Sequence, residues 1–348
     1  MGDGVCPSPI PATETGIAVE PKPSGGTRWW TPLCEARRER ARTACMRRAA
    51  RVPECLARVH PRPTADAAVA VGYDDAMSRI AGHSRDEIVR LVEANLWATW
   101  SNFGRAPGCS LHDEGDLLWF ETPIPFHPYN TVLKFQVEHD VDRRIDELLR
   151  HLATRDVPVL WIVHPSVRPD DLVDRLRARD LQEFEIAPGM ARSLEDLPVA
   201  PPLPDGVEIR EVHDDAELGV LSEFVAWRWG VPEAYRPHLH DIVTRFQFGR
   251  PDSKSRMWMA YKDGVPISKI ALYDGPGSAG IYAVATKPEA RGLGIASILM
   301  VVAMRAAKEM GHEVVVLDSS PLAVKLYQRL GFVTVTNFRL FAHEPAYL

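Results

Sequence analysis

A glycine-bearing turn near the C-terminus joins an apolar strand to a long apolar helix. Strand-type residues fill 281–286, and an apolar helical run fills 295–310. The first backbone N–H groups of a helix lack partners within the helix, and the helix dipole is positive at that end. Gly292 and Gly294 remove the Cβ atoms that would block a bulky anion, and Ala296 keeps the first helical turn narrow. The segment therefore predicts a binding site for a diphosphate.

Two nucleotide-binding patterns compete for this turn. The dinucleotide fingerprint needs a third glycine near position 297, where Ser297 stands, and an acidic residue about twenty positions later, where Asp318 would serve. That fingerprint follows the first strand of a parallel sheet, whereas a hairpin around Asp263-Gly264 precedes this turn. A Walker loop needs Gly-Lys-Ser/Thr, which the sequence lacks. A dinucleotide-binding oxidoreductase thus stays as the less favoured alternative.

Two short motifs in the C-terminal region match one known family. Arg291, Gly294 and Ala296 fit the pattern R/Q-x-x-G-x-G/A, and the segment 323–332 fits A-x-x-L/F-Y-x-x-x-G-F around Tyr327. In these motifs, and over about 140 residues from position 207 onward, the chain resembles the GNAT superfamily of N-acetyltransferases. Ser320 is a departure, because many relatives have Asn there.

The resemblance implies an acyl-CoA-dependent N-acetyltransferase. Acetyl-CoA would be the cosubstrate, an amine on a small molecule or peptide would attack its thioester directly, and no metal is expected. The strand 281–286 would diverge from the strand 313–317 and leave room for the pantetheine arm, while the turn would hold the pyrophosphate. The cofactor-binding residues implied in this way are Val284, Ala285, Thr286, Arg291, Gly292, Leu293, Gly294, Ile295 and Ala296.

The expected reaction needs an acid for the departing thiolate and a base for the attacking amine. By the resemblance Tyr327 is the general acid, since a phenol with a pKa near about 10 can protonate a thiolate whose acid has a pKa of about 8.5. Alternatively, Tyr327 only packs, with its hydroxyl bonded locally.

No general base is visible in the sequence, because the segment 282–285 carries no carboxylate. Five titratable residues on the first two helices of the C-terminal region are interpreted as solvated helix residues: Glu223, Glu233, His238, His240 and Asp241. A water chain, or an acceptor amine of low pKa, would remove the need for a base. Four aromatic residues line either an acceptor pocket or the core: Trp227, Trp229, Tyr235 and Trp258.

Charge and composition limit the function classes. The formal net charge is −6, and residues 1–65 are basic while the remainder is acidic. An acidic body argues against nucleic-acid binding and favours a cationic acceptor. The apolar run 295–304 is too short to span a bilayer, the N-terminus has no signal pattern, and five cysteines without C-x-x-C spacing suit a reducing compartment. We therefore expect a cytoplasmic protein with no membrane partner; its oligomeric state stays open.

The chain is predicted to have four segments. Residues 1–70 form a disordered, basic extension, whose arginines also suit a basic arm or transit peptide, and 198–206 form a proline-rich linker. The fold class expected is α/β (α+β), with a mixed, mostly antiparallel sheet flanked by helices in two related domains, 73–197 and 207–348. The first domain echoes the strand–helix order of the second, but Asp140 and Asp142 stand where a phosphate loop would fall. It is interpreted as a degenerate GNAT-like domain that serves packing or substrate shaping.

Two further alternatives remain. A noncatalytic acyl-CoA-binding sensor or partner protein would explain a missing base. In the first domain, Cys109, His112 and Asp113 suit a metal or nucleophile site, but scattered loop residues are the favoured interpretation.

Overall fold

A computed structural model of the chain describes residues 80, 82–155 and 157–343. The extension predicted for 1–70 lies outside these residues. The strands described are β1 (Ser110–Asp113), β2 (Leu117–Glu121), β3 (Thr131–Phe135), β4 (Val159–Val163), β5 (Gln182–Ser193), β6 (Val207–Glu211), β7 (Ser255–Lys262), β8 (Val265–Gly275), β9 (Ser278–Thr286), β10 (Val314–Asp318) and β11 (Val333–His343). The α-helices described are α1 (Arg85–Gly104), α2 (Val141–Ala153), α3 (Leu172–Arg177), α4 (Asp215–Trp229), α5 (Arg236–Arg245), α6 (Ile295–Glu309) and α7 (Val324–Arg329).

These strands form one sheet in the order β1-β2-β3-β4-β11-β5-β10-β9-β8-β7-β6. Neighbouring strands are antiparallel except for β3 with β4 and β9 with β10. Helices cover both faces, so the predicted mixed, mostly antiparallel sheet flanked by helices is confirmed. No helix in the described residues is both long and apolar enough to cross a membrane.

The two halves of the sequence exchange their last strands. β5 belongs to the first half but pairs with β10, while β11 belongs to the second half and pairs with β4. β5 and β11 also pair with each other at the centre of the sheet. The proline-rich segment 198–206 therefore joins two halves of one continuous sheet within one compact unit. The division into two GNAT-like domains stays a prediction.

The sequence predicts helices after Ser84, which begins a capping box, and after Asp214, and it predicts a hairpin at Asp263-Gly264. These signals occur in the structure. Ser84 caps α1 in a capping box with Glu87, and the Asp214 carboxylate accepts the Glu217 N–H at the start of α4. The Asp263-Gly264 pair takes φ values of 50° and 80°, as a tight hairpin requires. Asp140 precedes an apolar helical pattern, which predicts that it caps α2. This prediction is wrong, because its backbone is left-handed at φ 52° and its side chain makes no capping bond.

Element boundaries in the first half differ from the predictions. The sequence pattern predicts a strand around 184–186 and a helix over about 169–179. The structure has the twelve-residue β5 and the shorter α3 in their places. β1 was not predicted at all. β5 alternates exposed and half-buried residues until Ala187, so its first part carries little apolar pattern for a sequence prediction to detect.

Side chains of the second half alternate between two cores on opposite faces of the sheet. Ile270 and Leu272 of β8 pack with Leu299 of α6 on one face. Met257 and Met259 of β7 pack with residues of α4 and α5 on the other. Helix α1 packs against strands from both halves, β3 and β10 among them. It therefore brings side chains of the first half to the point where β9 and β10 separate.

Candidate active site

β9 and β10 separate after two residues of pairing. Their parallel ladder joins only Ala279 to Val315 and Gly280 to Val316. Farther along, β9 continues to Thr286 against β8 alone. At Ala283 the backbone has φ 56°, and the register with β8 shifts just before it, which is the geometry of a β-bulge. A gap therefore opens on the β10 side of 281–286, the stretch that holds Val284, Ala285 and Thr286.

The turn after β9 has an uncapped helix start. A 3₁₀ turn at Pro288–Ala290 is followed by Gly292 at φ 80° and Gly294 at φ 76°, and Gly294 is the N-cap of α6. No side chain caps this helix. A Cβ at Gly292 would meet nothing within 4 Å, and one at Gly294 only Pro201 at 3.8 Å. The N–H groups at the start of α6 thus have no side-chain partner and are available to an anion.

The other residues of the turn divide between solvent and core. Arg291 and Leu293 are exposed, Ala296 is half-buried, and the side chain of Ile295 is buried in the core on the α6 face. Ile295 is therefore placed to offer only its backbone N–H to a ligand, while Arg291 can offer its charge.

Cations without carboxylate partners cluster near this turn. Burial lowers the pKa of the Arg228 guanidinium, and the nearby charge of Arg291 lowers it further. Lys287 lies over the ring of Trp227 at 5.6 Å. Among the ion pairs of the described residues, none involves these three cations. Positive charge that the protein leaves uncompensated favours an anionic ligand.

Lys269 is a buried cation on β8, opposite the bulge. It is 2% exposed, and its Nζ donates to the carbonyl oxygen of Ala283 at 2.9 Å. Burial, assisted by the charge of Arg228, lowers its pKa to about 7. The lysine therefore holds the bulge carbonyl in place, and near pH 7 its amine is only partly protonated.

The depressed pKa of Lys269 predicts a pH-dependent effect on stability. Between pH 7 and about 10.5 the unfolded chain binds the lysine proton and the folded chain does not, so this group makes stability rise with pH across that window. Lys269→Met is expected to increase the free energy of unfolding by a few kcal/mol more at pH 6.5 than at pH 10. Urea titrations of both proteins at the two pH values measure it; an equal difference at both would contradict the prediction. Lys262→Met, at an exposed position, is the control.

Tyr327 lies on α7 with a buried ring. It is 6% exposed, and its ring packs against Phe332. Burial raises the pKa of its phenol, and the charge of Asp318 raises it further. No hydrogen bond to the Tyr327 hydroxyl occurs among the described residues, so the alternative of a locally bonded hydroxyl finds no partner there.

Asp318 ends β10 inside the gap. Its Oδ1 is buried and has no hydrogen-bond partner. Burial raises the pKa of this carboxyl group to about 6, and the charge of Glu185 on β5 adds to the effect. In the sequence, Asp318 fits only the dinucleotide fingerprint. Its charge reaches Tyr327 because of where β10 ends, which no motif marks.

Asn95 of α1 reaches the opposite wall of the gap. Its Nδ2 donates to the Ser278 carbonyl oxygen at 2.7 Å, and its Oδ1 accepts the Tyr282 hydroxyl at 2.9 Å. A Cβ on Gly280 would lie 2.0 Å from Asn95 Oδ1, so the close approach of α1 to β9 requires glycine there. The first half of the chain thus contributes to the site in the second half.

The equivalent separation in the first half is closed by the protein itself. β3 and β4 pair in parallel only at Thr131–Leu160 and Val132–Trp161. The His164 side chain then accepts the Phe135 N–H on Nε2, and its Nδ1 bonds to the buried Glu93 carboxylate at 3.0 Å. His164 therefore links the end of β3 to the segment that follows β4. The interpretation of 73–197 as a degenerate GNAT-like domain stays a prediction.

The titratable residues considered as bases lie away from Asp318 on the surface of α4, α5 and the turn between them. Glu223 pairs with Arg236, the His240 ring bonds to Ser222, and Glu233 is exposed. His238 and Asp241 are half-buried on α5. These contacts agree with their interpretation as helix residues.

The four candidate pocket aromatics do not meet at one site. Trp258 is buried in the core on the α6 face, and Tyr235 packs edge-on against Phe126. Trp227 and Trp229 are about two-fifths exposed at the end of α4. Trp227 lies beneath Lys287, and Trp229 lies beneath Arg228, so both stack with cations near the glycine turn.

Cys109, His112 and Asp113 do not form a nucleophile site. Burial raises the pKa of the Cys109 thiol to about 11, so the thiolate is disfavoured. His112 stacks on Trp119 and lies near Glu121 and His151, with ligand atoms within 4.8 Å of one another. However, the Glu121 carboxylate already accepts bonds from Trp119, His151 and Arg155. The Glu121 carboxylate is thus already part of an ion-pair network.

The residues that form this site lie within a region that matches a known protein family. Residues 221–332, which include the gap, the glycine turn, Asp318 and Tyr327, match the Acetyltransferase (GNAT) family. This region is a GNAT domain. The chain is also 29% identical over 198 residues to the mycothiol acetyltransferase of Actinosynnema mirum, a match that covers 53% of the chain and 63% of that relative.

Solved structures with the GNAT fold extend the likeness beyond this region. The chain superposes on a GCN5-related N-acetyltransferase from Kribbella flavida with a TM-score of 0.55 at 18% identity, covering 75% of the chain and 96% of that protein. A tandem GNAT protein from the clavulanic acid biosynthesis pathway gives 0.50 at 14% identity, covering 74% and 95%. Coverage of about three quarters of the chain includes more than the GNAT domain, so the first half shares in the likeness of fold.

Proposed function

We propose that the protein is an acetyl-CoA-dependent N-acetyltransferase that acts on an amine of a small molecule or peptide. The observation that supports this most directly is the open, uncapped start of α6 beside the gap between β9 and β10. A thioester carrier with a diphosphate linker needs both features: N–H groups for the diphosphate and a slot for the extended arm.

The proposed binding of acetyl-CoA divides the site into two parts. Backbone N–H groups from Gly292 to Ala296, with the charge of Arg291, hold the pyrophosphate. The exposed edge of β9 near Val284, Ala285 and Thr286 binds the pantetheine arm, as an added strand binds a sheet edge. The thioester then lies at the inner end of the gap, next to Tyr327.

The proposed reaction is direct transfer of the acetyl group. The amine nitrogen attacks the thioester carbon, the C–N bond forms, and the C–S bond breaks with its electron pair going to sulfur. Tyr327 donates its phenolic proton to the departing sulfur. The carboxylates of Asp318 and Glu185 make the inner part of the site electronegative, which supports a cationic amine as the acceptor.

The relative in Actinosynnema mirum is named mycothiol acetyltransferase. That name supports acetyl transfer for this chain as well. The carboxylates around the gap agree with an acceptor that presents a primary amine.

Release of free CoA tests the proposal. Purified protein is incubated with acetyl-CoA and a panel of amino sugars, polyamines, aminoglycosides and peptide N-termini, and thiol release is followed for each amine. Amine-dependent thiol release with a matching acetylated product by mass spectrometry is expected. Binding of CoA without release for any amine would instead support the sensor, and binding of NAD(P) without CoA would support the oxidoreductase.

A further inference from the structure

We propose that Asp318 is the general base, the group that takes the proton from the acceptor amine. This inference rests on the proposed function, and it names a residue that neither the family motifs nor the comparisons assign.

The position of Asp318 in the gap supports this role. β10 ends at Asp318, on the side of the gap opposite the exposed edge of β9. Its Oδ1 is buried without a hydrogen-bond partner. A buried polar atom that the protein leaves unpaired is costly unless a ligand supplies the partner. An ammonium group bound in the gap supplies both the missing hydrogen bond and the opposite charge.

The charged and phenolic neighbours of Asp318 also support this role. The phenols of Tyr282 on β9 and Tyr327 on α7 both lie within range of its charge, and so does the carboxyl group of Glu185 on β5. The ion pairs of the described residues include none at Asp318. The carboxylate is therefore not held by a cation of the protein and is free to accept a proton.

The same transfer assists the general acid. The charge of Asp318 raises the pKa of Tyr327 beyond the effect of burial alone. When Asp318 takes the amine proton, this charge disappears, and Tyr327 becomes a stronger acid at the moment when the thiolate leaves. Bond by bond, the amine forms the C–N bond and gives its proton to Asp318, the sulfur leaves with its electron pair and takes the Tyr327 proton, and solvent carries the Asp318 proton back to the phenolate.

Asp318→Asn tests the assignment, because asparagine keeps the shape and cannot accept the proton. The wild-type kcat/KM for the best amine of the panel is expected to fall below pH 6, where Asp318 becomes protonated. The variant is expected to lose about 100-fold at pH 7, in line with other acid–base residues. At pH 9.5 its loss is expected to shrink below about tenfold, because free amine then needs no base.

Glu185→Gln is the matched control. It removes the neighbouring charge and leaves Asp318 in place, so the acid limb of the pH profile is expected to move to lower pH without disappearing.

The melting temperature gives a readout besides activity. Since the unfolded chain loses the Asp318 proton near pH 4 and the folded chain near pH 6, burial of this charge costs stability above pH 6. Asp318→Asn is therefore expected to melt a few degrees higher than wild type at pH 7.5, and the difference is expected to vanish at pH 4.

The outcomes separate the two proposals. An active wild type whose Asn variant loses the same factor at every pH, or loses nothing, would overturn the role of Asp318 and leave the N-acetyltransferase in place. A wild type that binds acetyl-CoA but releases no thiol with any amine would overturn both.

Discussion

Gly294→Glu is expected to weaken CoA binding by at least about 100-fold. Gly294 is the N-cap of α6, and its backbone lies in the left-handed region at φ 76°. A glutamate there places negative charge and five extra heavy side-chain atoms at the position proposed for the pyrophosphate. Two unit charges about 4 Å apart interact by roughly 4 kcal/mol near a protein surface, which is more than this factor requires. Isothermal titration calorimetry with CoA measures the loss.

Gly294→Ala separates the charge from the backbone strain. Both variants force a side chain into a left-handed position, which costs roughly 1 kcal/mol, and both have space for a Cβ because only Pro201 comes within 4 Å. Alanine is expected to weaken CoA binding by less than about tenfold and to lower the melting temperature as much as glutamate does. CoA affinity of Gly294→Glu equal to that of wild type would refute the assignment of the turn as a phosphate-binding loop.

A second charge test uses the cations around the turn. Arg228, Arg291 and Lys287 lack carboxylate partners among the described residues. If they serve an anion, CoA affinity falls with rising salt concentration, since exposed charges are screened. The glycine variant and the salt dependence probe different atoms of the same proposed site, so their agreement would exclude a purely steric effect of glutamate.

The residues that the sequence predicts for the proposed site lie in two short motifs, the glycine turn and the segment around Tyr327. In the turn, local backbone needs decide the residue type. Gly292 and Gly294 were predicted from the space that a missing Cβ leaves, and the structure adds that both occupy left-handed conformations. Periodicity likewise predicted α1 and α4, whose caps are formed by side chains within three residues of the helix start.

The parts that long-range pairing decides were not predictable in the same way. Asn95 touches Ser278, 183 residues away, and nothing in the local sequence of α1 marks that contact. The exchange of β5 and β11 depends on the pairing of β5 with β10 and of β11 with β4, and each pair joins segments far apart in the sequence. Asp318 becomes a candidate base only because β10 ends in the gap, beside a tyrosine of α7. Side chains whose role depends on burial and on distant neighbours need the folded structure for their interpretation.

Tyr327→Phe is expected to lower kcat by about 100- to 1,000-fold while CoA affinity changes less than about threefold. The phenylalanine ring keeps the contact with Phe332, and the hydroxyl that it removes has no hydrogen-bond partner among the described residues. The fold is therefore expected to stay intact, and the loss belongs to the step in which sulfur leaves. Steady-state kinetics with saturating acetyl-CoA measure kcat, and calorimetry measures the affinity.

Tyr282→Phe is the matched control for Tyr327. The phenol of Tyr282 is also buried within range of the Asp318 charge, but its hydroxyl donates a hydrogen bond to Asn95 Oδ1. It is expected to lose less than about tenfold in kcat, since its hydroxyl is already engaged. Burial and the charge of Asp318 hold the pKa of Tyr327 above its ordinary value, so the wild-type kcat is expected to show no basic limb up to about pH 10. A larger loss from Tyr282→Phe than from Tyr327→Phe would move the general acid to β9. Equal thiol release by wild type and Tyr327→Phe would overturn the role of Tyr327 as general acid.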